Sequence, residues 1–286
     1  MSIPKTLEIP HGVEAVRIKA DGIDVAAHVV RLEHPRAHVL LVPGWTGSKE
    51  DFTQVLPLLA AAGFDVTAYD QRGQYETVGL PEDDYTLAGF ARDAAAVAAA
   101  ASSQPSHLLG HSFGGLVAQQ AAVDHTSQWR SLSLLGTGPG ALGESPHRPL
   151  QMLVQALGKV PLLQIHEIRE QGVRRPAQIT RFLAKRFTSN SVPSLRAITQ
   201  LLLDAPDIID EVHALDLPFW VGRGQDDDAW GHDVQASMAE RLGTTVHVIP
   251  DSAHSPGVEN PAGLVEAWLP FLNEHSLDQH TAEQQG

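Results

Sequence analysis

The chain has 286 residues, no cysteine and a formal net charge of −14, from 20 basic and 34 acidic residues. Without cysteine it has no disulfide, no thiolate zinc site and no cysteine nucleophile. The acidic balance argues against nucleic-acid binding, which needs a basic surface. A hydrophobic fraction of 43% is enough for a sizeable buried core.

The first 140 residues alternate between short apolar runs and helical patterns. Two leading strands, 14–20 and 23–31, are separated by an Asp-Gly turn and predict an antiparallel edge. Further strands are predicted at 38–43, 64–69, 106–110 and 130–135, and helices at 48–62, 87–101 and 113–124. This repetition indicates an α/β protein with a mostly parallel sheet and helices on both faces.

The alternation stops between residues 141 and 214, where the sequence shows helical periodicity and no clear strand. It resumes with strands at 217–221 and 244–249 and helices at 235–242 and 262–273. We therefore interpret residues 1–140 and 215–274 as one core, residues 141–214 as a helical insertion, and residues 275–286 as a polar tail.

Several kinds of signal are missing from the sequence. No segment approaches the roughly 18 apolar residues of a membrane span, and the first residues lack a charged region followed by an apolar run. We therefore expect a cytoplasmic protein without a membrane span. No dinucleotide fingerprint or P-loop stands at a strand–helix junction, so we expect no nucleotide cofactor.

A candidate nucleophile lies in residues 110–115, which read Gly-His-Ser-Phe-Gly-Gly and contain the G-x-S-x-G pattern. The pattern follows an apolar strand and precedes an amphipathic helix, so it predicts a sharp strand-to-helix turn with small neighbours. Ser112 is then exposed at the carboxyl end of a strand. It also lies beside a helix N-terminus, which favours negative charge.

This combination resembles the α/β-hydrolase family, and the resemblance extends from about residue 14 to residue 274. It implies an eight-stranded sheet, a triad of Ser, acid and His in that chain order, and a helical lid after the sixth strand. The insertion at 141–214 is at the position of that lid.

The resemblance also selects the base and the acid. His254 follows the last predicted strand, at the same sheet edge as Ser112, and the family places its histidine there. Family members place the acid three residues after a glycine, here Gly224, which selects Asp227. Asp226 and Asp228 are then solvated neighbours. The three carboxylates alternatively form a cation site, but no second acidic cluster converges on them and we expect no metal.

An oxyanion hole needs two backbone N–H donors aimed at the developing charge. One is expected from Phe113, the residue after the nucleophile. The resemblance places the other at Trp45, although Pro43 stands where the family has histidine. Tyr75 stands where the family has glycine, and it either lines the pocket or packs on the surface.

The insertion is basic, whereas the whole chain is acidic. Residues 148–196 contain nine Lys or Arg and two Glu, a balance of 9 − 2 = +7. These charges either attract anionic substrates or form a solvated helix face. The candidates for substrate attraction are Arg174, Arg175, Lys185 and Arg186.

The sequence thus predicts a serine hydrolase that cleaves a carboxylic ester, or a similar acyl substrate, through an acyl-enzyme. The substrate is a small molecule with an acyl or aromatic part, and no metal or organic cofactor is required. The same triad could instead hydrolyse a thioester, a lactone or a C–C bond, or catalyse perhydrolysis. The chain could also be a non-catalytic binding protein of this fold, or an interaction module that meets an acidic partner or a membrane surface. The oligomeric state is not determined by the sequence.

Overall fold

The computed structural model describes residues 2–143 and 147–276. Its eight strands form one sheet in the order β1-β2-β4-β3-β5-β6-β7-β8. The strands are β1 (Glu14–Ala20), β2 (Ile23–Val30), β3 (Ala37–Val42), β4 (Phe64–Tyr69), β5 (Ser106–His111), β6 (Trp129–Leu135), β7 (Phe219–Gly224) and β8 (Val246–Ile249). The β1–β2 and β2–β4 pairs are antiparallel and the other neighbouring pairs are parallel. The expected mostly parallel, eight-stranded sheet is confirmed.

Strand β3 shows why the central strands read as unbroken apolar runs. Its residues from Val39 to Val42 are all fully buried. Val39 and Leu41 pack into one hydrophobic cluster, and Leu40 and Val42 pack into another on the opposite face. Since successive side chains in a strand point to opposite faces, a strand covered on both sides cannot alternate apolar with polar residues.

Helices cover both faces of the sheet. One face carries α1 (Leu56–Ala61) and, near the end of the chain, α11 (Pro261–Glu274). The other face carries α2 (Leu87–Ala101), α3 (Phe113–Asp124), α8 (Ile209–His213) and α9 (His232–Arg241). A short helix, α10 (Pro256–Glu259), precedes α11. The prediction missed α10 because four residues are too few to show a helical period.

Between β6 and β7 the chain forms α4 (His147–Ala156), α5 (Leu162–Arg169), α6 (Ala177–Thr188), α7 (Val192–Asp204) and then α8. Five buried apolar side chains of this region form a cluster of their own: Leu153, Leu157, Ile165, Phe187 and Leu195. The helix α8 lies within the predicted insertion but packs against α3 and α9. Much of the apolar content of the insertion therefore serves its own packing and its contact with the core.

The predicted helix over 48–62 is wrong in its bounds. The chain forms a 3₁₀ turn over Lys49–Asp51, closed by a capping box between Ser48 and Asp51, and α1 begins only at Leu56. Pro57 occupies the first turn of α1, where its missing N–H is tolerated, but a proline further inside one continuous helix would break it. The region is therefore two short helical pieces.

Two further expectations concern the membrane and the tail. No helix in the part of the chain that the structure describes combines the length and apolar character needed to cross a bilayer. Of the predicted tail, His275 and Ser276 are described, and the Ser276 hydroxyl is 3.0 Å from the His107 ring. Residues 277–286 lie outside the described residues.

Arg186 corrects the interpretation of the basic insertion. Its side chain is fully buried in α6 rather than exposed on a charged surface. Arg186 Nη1 donates to Asp51 Oδ1 at 2.8 Å and lies 3.4 Å from Ser48 Oγ, and Nη2 donates to the Ser2 carbonyl. Arg186 therefore joins the insertion to the 3₁₀ turn and to the segment near residue 2.

Replacing Arg186 tests this joint. In Arg186→Met the buried Asp51 carboxylate loses its partner, and we expect the free energy of unfolding to fall by about 3–5 kcal/mol. Urea unfolding followed by circular dichroism measures the change. The matched control is Arg181→Met, an exposed residue of the same helix, which should leave the midpoint unchanged. Equal midpoints for the two variants would contradict the assignment.

Candidate active site

The turn at Ser112 converts β5 into α3 within one residue. Ser112 has φ +56° and ψ −122°, a conformation that residues with a side chain rarely adopt. The turn is held by hydrogen bonds from the Ser112 N–H to the Leu135 carbonyl at 2.9 Å and from the Gly115 N–H to the Ser112 carbonyl at 2.8 Å. The predicted strand-to-helix turn is therefore present, with the serine at its apex.

Glycine is needed beside this turn because backbone passes very close to it. A Cβ on Gly114 would lie 2.3 Å from the Val42 carbonyl oxygen, and one on Gly110 would lie 2.1 Å from the Gly114 carbonyl oxygen. Neither distance is compatible with a side chain, so these two glycines allow β3, β5 and α3 to approach one another.

The structure brings Ser112, Asp227 and His254 together. His254 Nε2 is 3.0 Å from Ser112 Oγ, and His254 Nδ1 is 2.8 Å from Asp227 Oδ1. The three residues follow β5, β7 and β8, whose carboxyl ends meet at one edge of the sheet. Both distances are hydrogen-bond distances, and they place the imidazole between a hydroxyl and a carboxylate.

Asp227 differs from its two acidic neighbours. Asp226 and Asp228 are exposed, whereas Asp227 is buried. Burial opposes ionisation of Asp227, but hydrogen bonds from His254, the Ala229 N–H and Gln235 outweigh it and lower the pKa of Asp227 below its usual value. The carboxylate is therefore ionised and can orient the imidazole.

The loop after β3 lies directly against Ser112. A Cβ on Gly44 would be 2.9 Å from Ser112 Cβ, so the backbone at Gly44 passes too close to Ser112 to carry a side chain without a local shift. No hydrogen bond occupies the Trp45 N–H within the part of the chain that the structure describes. Phe113 is the first residue of α3, where N–H groups have no partner inside the helix. Both predicted donors are thus placed beside Ser112 without an intramolecular acceptor.

Gln71 supports this loop in a way that the sequence did not reveal. Its side-chain nitrogen donates to the Pro43 carbonyl at 2.8 Å, and the residue is buried. On the other side of the loop, the Trp45 indole N–H donates to Thr199 Oγ1 of α7 at 3.0 Å. These two hydrogen bonds hold the loop in place, although Pro43 stands where the resemblance predicts histidine.

Two side chains that the prediction did not select hold the His254 loop. His111 Nε2 donates to the His254 carbonyl at 2.6 Å, and burial lowers the pKa of His111 to about 3, so its ring stays neutral. Glu259 Oε2 accepts from the N–H groups of Ala253 and Ser255 at 2.7 and 3.1 Å. His111 is the variable residue before the serine of the G-x-S-x-G motif. Its position next to Ser112 was the one feature of the sequence that could have indicated a role for His111 in the site.

A cavity of about 280 Å³ opens at Ser112 and His254. Gly44, Trp45, His111 and Asp228 also line it. The rest of its wall is mainly apolar and is formed by Leu142, Leu150, Leu202, Ala229 and Trp230, with Ser2 at one side. Ser2 Oγ lies 3.0 Å from Ser255 Oγ, so the segment near residue 2 contacts the histidine loop. The cavity suits a small substrate with an apolar part.

Tyr75 packs on the surface of the insertion. Its ring meets Phe182 edge-on at 5.7 Å and lies under the ammonium groups of Lys49 and Lys185 at 4.7 and 5.5 Å. It is not among the residues that line the cavity at Ser112. Of the two interpretations left open by the sequence, the structure supports surface packing.

Two other basic residues that the sequence suggested for substrate attraction lie close to a carboxylate. Arg175 forms an ion pair with Glu170, and Lys185 lies 3.7 Å from Glu76. Arg174 is exposed. Among the described residues, no group of three or more His, Asp or Glu side chains is arranged to hold a metal ion.

The sequence and the fold are similar to those of several known enzymes. A family model described as serine aminopeptidase, S33, matches residues 33–261. The "Putative carbamate hydrolase RutD" of Variovorax paradoxus (strain S110) is 28% identical over 245 residues, which cover 82% of this chain and 91% of the relative. A 2-succinyl-6-hydroxy-2,4-cyclohexadiene-1-carboxylate synthase of Salmonella heidelberg (strain SL476) is 27% identical over 174 residues, or 58% of this chain and 67% of that protein.

Among solved structures, a thermophilic esterase from Thermogutta terrifontis superposes with a TM-score of 0.75 at 21% sequence identity. The superposition covers 92% of this chain and all of the esterase. At this identity the similarity concerns the fold.

The identity of the acid can be tested within one loop. Asp227→Asn removes the carboxylate that orients His254, and we expect kcat to fall by about 10⁴-fold. Asp226→Asn removes an exposed carboxylate one residue away and should leave kcat close to that of the unmodified protein. Steady-state kinetics with p-nitrophenyl acetate measures both. A similar loss in the two variants would show that the acid is misassigned.

Proposed function

The chain belongs to the α/β-hydrolase family described as serine aminopeptidase, S33, and from that premise we propose that it is a serine hydrolase that cleaves carboxylic esters through an acyl-enzyme. The observation that carries the proposal is the chain of two hydrogen bonds from Ser112 through His254 to Asp227. A serine hydroxyl is a weak nucleophile, and this arrangement supplies both its base and the group that orients the base.

In the acylation half, Ser112 Oγ bonds to the ester carbonyl carbon while its proton moves to His254 Nε2. The carbonyl π electrons move to oxygen, and the N–H groups of Trp45 and Phe113 donate to the resulting oxyanion. Such a donor is worth about 2.7–4 kcal/mol in the transition state. Asp227 stabilises the imidazolium without accepting its proton. When the oxyanion collapses, the C–O bond to the alcohol breaks and the alcohol takes the proton from His254.

In the deacylation half, His254 removes a proton from water as the water oxygen bonds to the acyl carbon. The second oxyanion is held by the same two N–H groups. Its collapse breaks the bond to Ser112 Oγ, which takes the proton back from His254. The products are a carboxylic acid and an alcohol, and the enzyme returns to its starting state without a metal or an organic cofactor.

The proposed substrate is a small molecule with an acyl or aromatic part, because the wall of the cavity is mainly apolar. The same groups also suit other acyl derivatives, including thioesters, lactones and the carbamates in the name of one relative. The insertion at 141–214 is proposed as the lid of the site. The cytoplasmic location and the absence of nucleic-acid partners stay predictions.

Fluorophosphonate labelling together with ester turnover tests the nucleophile. We expect the unmodified protein to react with the probe and to hydrolyse p-nitrophenyl acetate. Ser112→Ala should lose the labelling and at least about 10⁴-fold in kcat. Ser106→Ala removes a hydroxyl at the start of β5 and serves as a control that keeps the label. Undiminished labelling of Ser112→Ala would place the nucleophile elsewhere.

A matched panel distinguishes the acyl classes. An ester and a thioester with the same acyl group differ only in the leaving group, and a carbamate and a lactone of similar size extend the comparison to other carbonyl classes. We expect the ester to have the highest kcat/KM. A thioester, carbamate or lactone preferred by tenfold or more would assign the enzyme to that class and keep the same catalytic residues.

A further inference from the structure

An apolar groove runs beside the catalytic cavity, between α4 and α5. Its volume is about 590 Å³, and apart from two arginines every residue that lines it is apolar. The wall includes Met152, Leu153 and Ala156 of α4 and Ile165 and Ile168 of α5. Two of these side chains, Met152 and Ile168, are more than 60% exposed. Large apolar side chains exposed together are typical of a ligand groove or an interface.

The groove adjoins the catalytic cavity, and the two share part of their walls. Trp45 and Leu150 line both the groove and the cavity at Ser112. The backbone of Trp45 belongs to the loop against the nucleophile, and its indole is fixed by Thr199. A substrate whose carbonyl lies at Ser112 can therefore extend an apolar chain past Trp45 and Leu150 into the groove.

Arg169 lies at this wall with its guanidinium over two aromatic rings. Its Cζ is 4.8 Å from the centre of the Trp45 ring and 5.1 Å from that of Phe187. Among the described residues, no carboxylate forms an ion pair with Arg169 and no acceptor takes a hydrogen bond from it. Arg175 and Arg186, in the same insertion, each have a carboxylate partner.

The residues that line the groove carry positive charge, whereas the protein as a whole is negatively charged. Both charged side chains in its wall are arginines, Arg148 and Arg169, and neither acid of residues 148–196 lines it. The protein as a whole has a charge of −14. An anionic ligand is therefore repelled by most of the surface and attracted here.

We propose that this groove binds the hydrocarbon chain of an anionic amphiphilic substrate and that Arg169 binds its carboxylate. The inference rests on the proposed ester hydrolysis and names its substrate class. Contacts with the Trp45 and Phe187 rings hold the guanidinium group in place while its N–H groups stay available, which suits recognition of a carboxylate.

Three esters distinguish the effect of the hydrocarbon chain on kcat/KM from the effect of the carboxylate. They are p-nitrophenyl acetate, p-nitrophenyl octanoate and the p-nitrophenyl monoester of octanedioic acid, which has the length of the octanoate and a terminal carboxylate. We expect kcat/KM to rise about tenfold or more from acetate to octanoate as methylene groups enter the groove. A further increase is expected for the carboxylate ester, and it should shrink with added salt.

Filling the groove tests the chain site. Ala156→Leu should lower kcat/KM for the octanoate by about tenfold and change that for the acetate by less than about twofold. The matched control is Ala197→Leu, a half-buried alanine of α7 in a different surface recess, which should change neither. A parallel loss for acetate and octanoate in Ala156→Leu would overturn the chain site.

Removing the cation tests the anion site. Arg169→Gln should lower the ratio of kcat/KM between the carboxylate ester and the octanoate by about tenfold. Arg181→Gln, an exposed arginine of α6 outside the groove, should leave that ratio unchanged. If Arg169→Gln affects both esters equally, Arg169 only covers the aromatic rings and the anion site is refuted.

Binding to an inactive variant separates this inference from the proposed function. Calorimetry of Ser112→Ala with the monomethyl ester of octanedioic acid needs no turnover. We expect binding that weakens about tenfold when Arg169→Gln is added; no binding, or unchanged binding, would overturn the inference. If Ser112 hydrolyses the acetate ester but kcat/KM depends on neither the hydrocarbon chain nor the carboxylate, the inference fails and the proposed ester hydrolysis stands.

The oligomeric state is the last outcome to check. A dimer that dissociates in Met152→Glu would show that a second copy of the chain, rather than substrate, covers the groove.

Discussion

The left-handed backbone at Ser112 is the constraint on which the rest of the site depends. It turns a central strand into a helix within one residue, lifts the hydroxyl above the sheet edge and places the first N–H groups of α3 beside it. A non-glycine residue in such a conformation costs about 1–3 kcal/mol, so the surrounding structure must enforce it. That structure consists of the parallel strands on both sides of β5 and of the glycines at 110 and 114, which let the backbones meet. Asp227 and His254 reach the same edge because β7 and β8 run parallel to β5.

Residues between β6 and β7 also contact the loop beside Ser112. Helix α7 holds the Trp45 indole through Thr199, and Ser194 of the same helix donates to the Arg72 carbonyl at 2.9 Å. Helix α6 buries Arg186 against the turn that follows the Trp45 loop. The loop proposed to hold the oxyanion is therefore supported from the core by Gln71 and from the insertion by Thr199. Substrate groove and oxyanion loop share Trp45, so chain binding and catalytic geometry are physically linked.

Local patterns in the sequence predicted the features that depend on local chemistry. The predicted bounds of β1, β4, α2 and α3 agree with the structure. The Asp-Gly turn marks the end of β1, and in the structure Thr86 caps α2 by accepting from the Gly89 N–H. The prediction of one helix over 48–62 was wrong because it did not take into account that Pro57 is tolerated only in the first turn of a helix. The interpretation of Arg186 as a surface cation failed because a charge count contains no information on burial. The contacts of Gln71, His111 and Arg169 join residues remote in sequence, and no spacing rule connects them.

The central claim is that the acyl group of the substrate becomes covalently attached to Ser112 during turnover. Rapid acid quenching of the protein with p-nitrophenyl octanoate, followed by digestion and mass spectrometry, tests it most directly. We expect the peptide containing Ser112 to gain the mass of the octanoyl group within the first turnover. The added mass should disappear as substrate is exhausted. Steady release of p-nitrophenol with no acylated peptide, or with the acyl group on another residue, would contradict it.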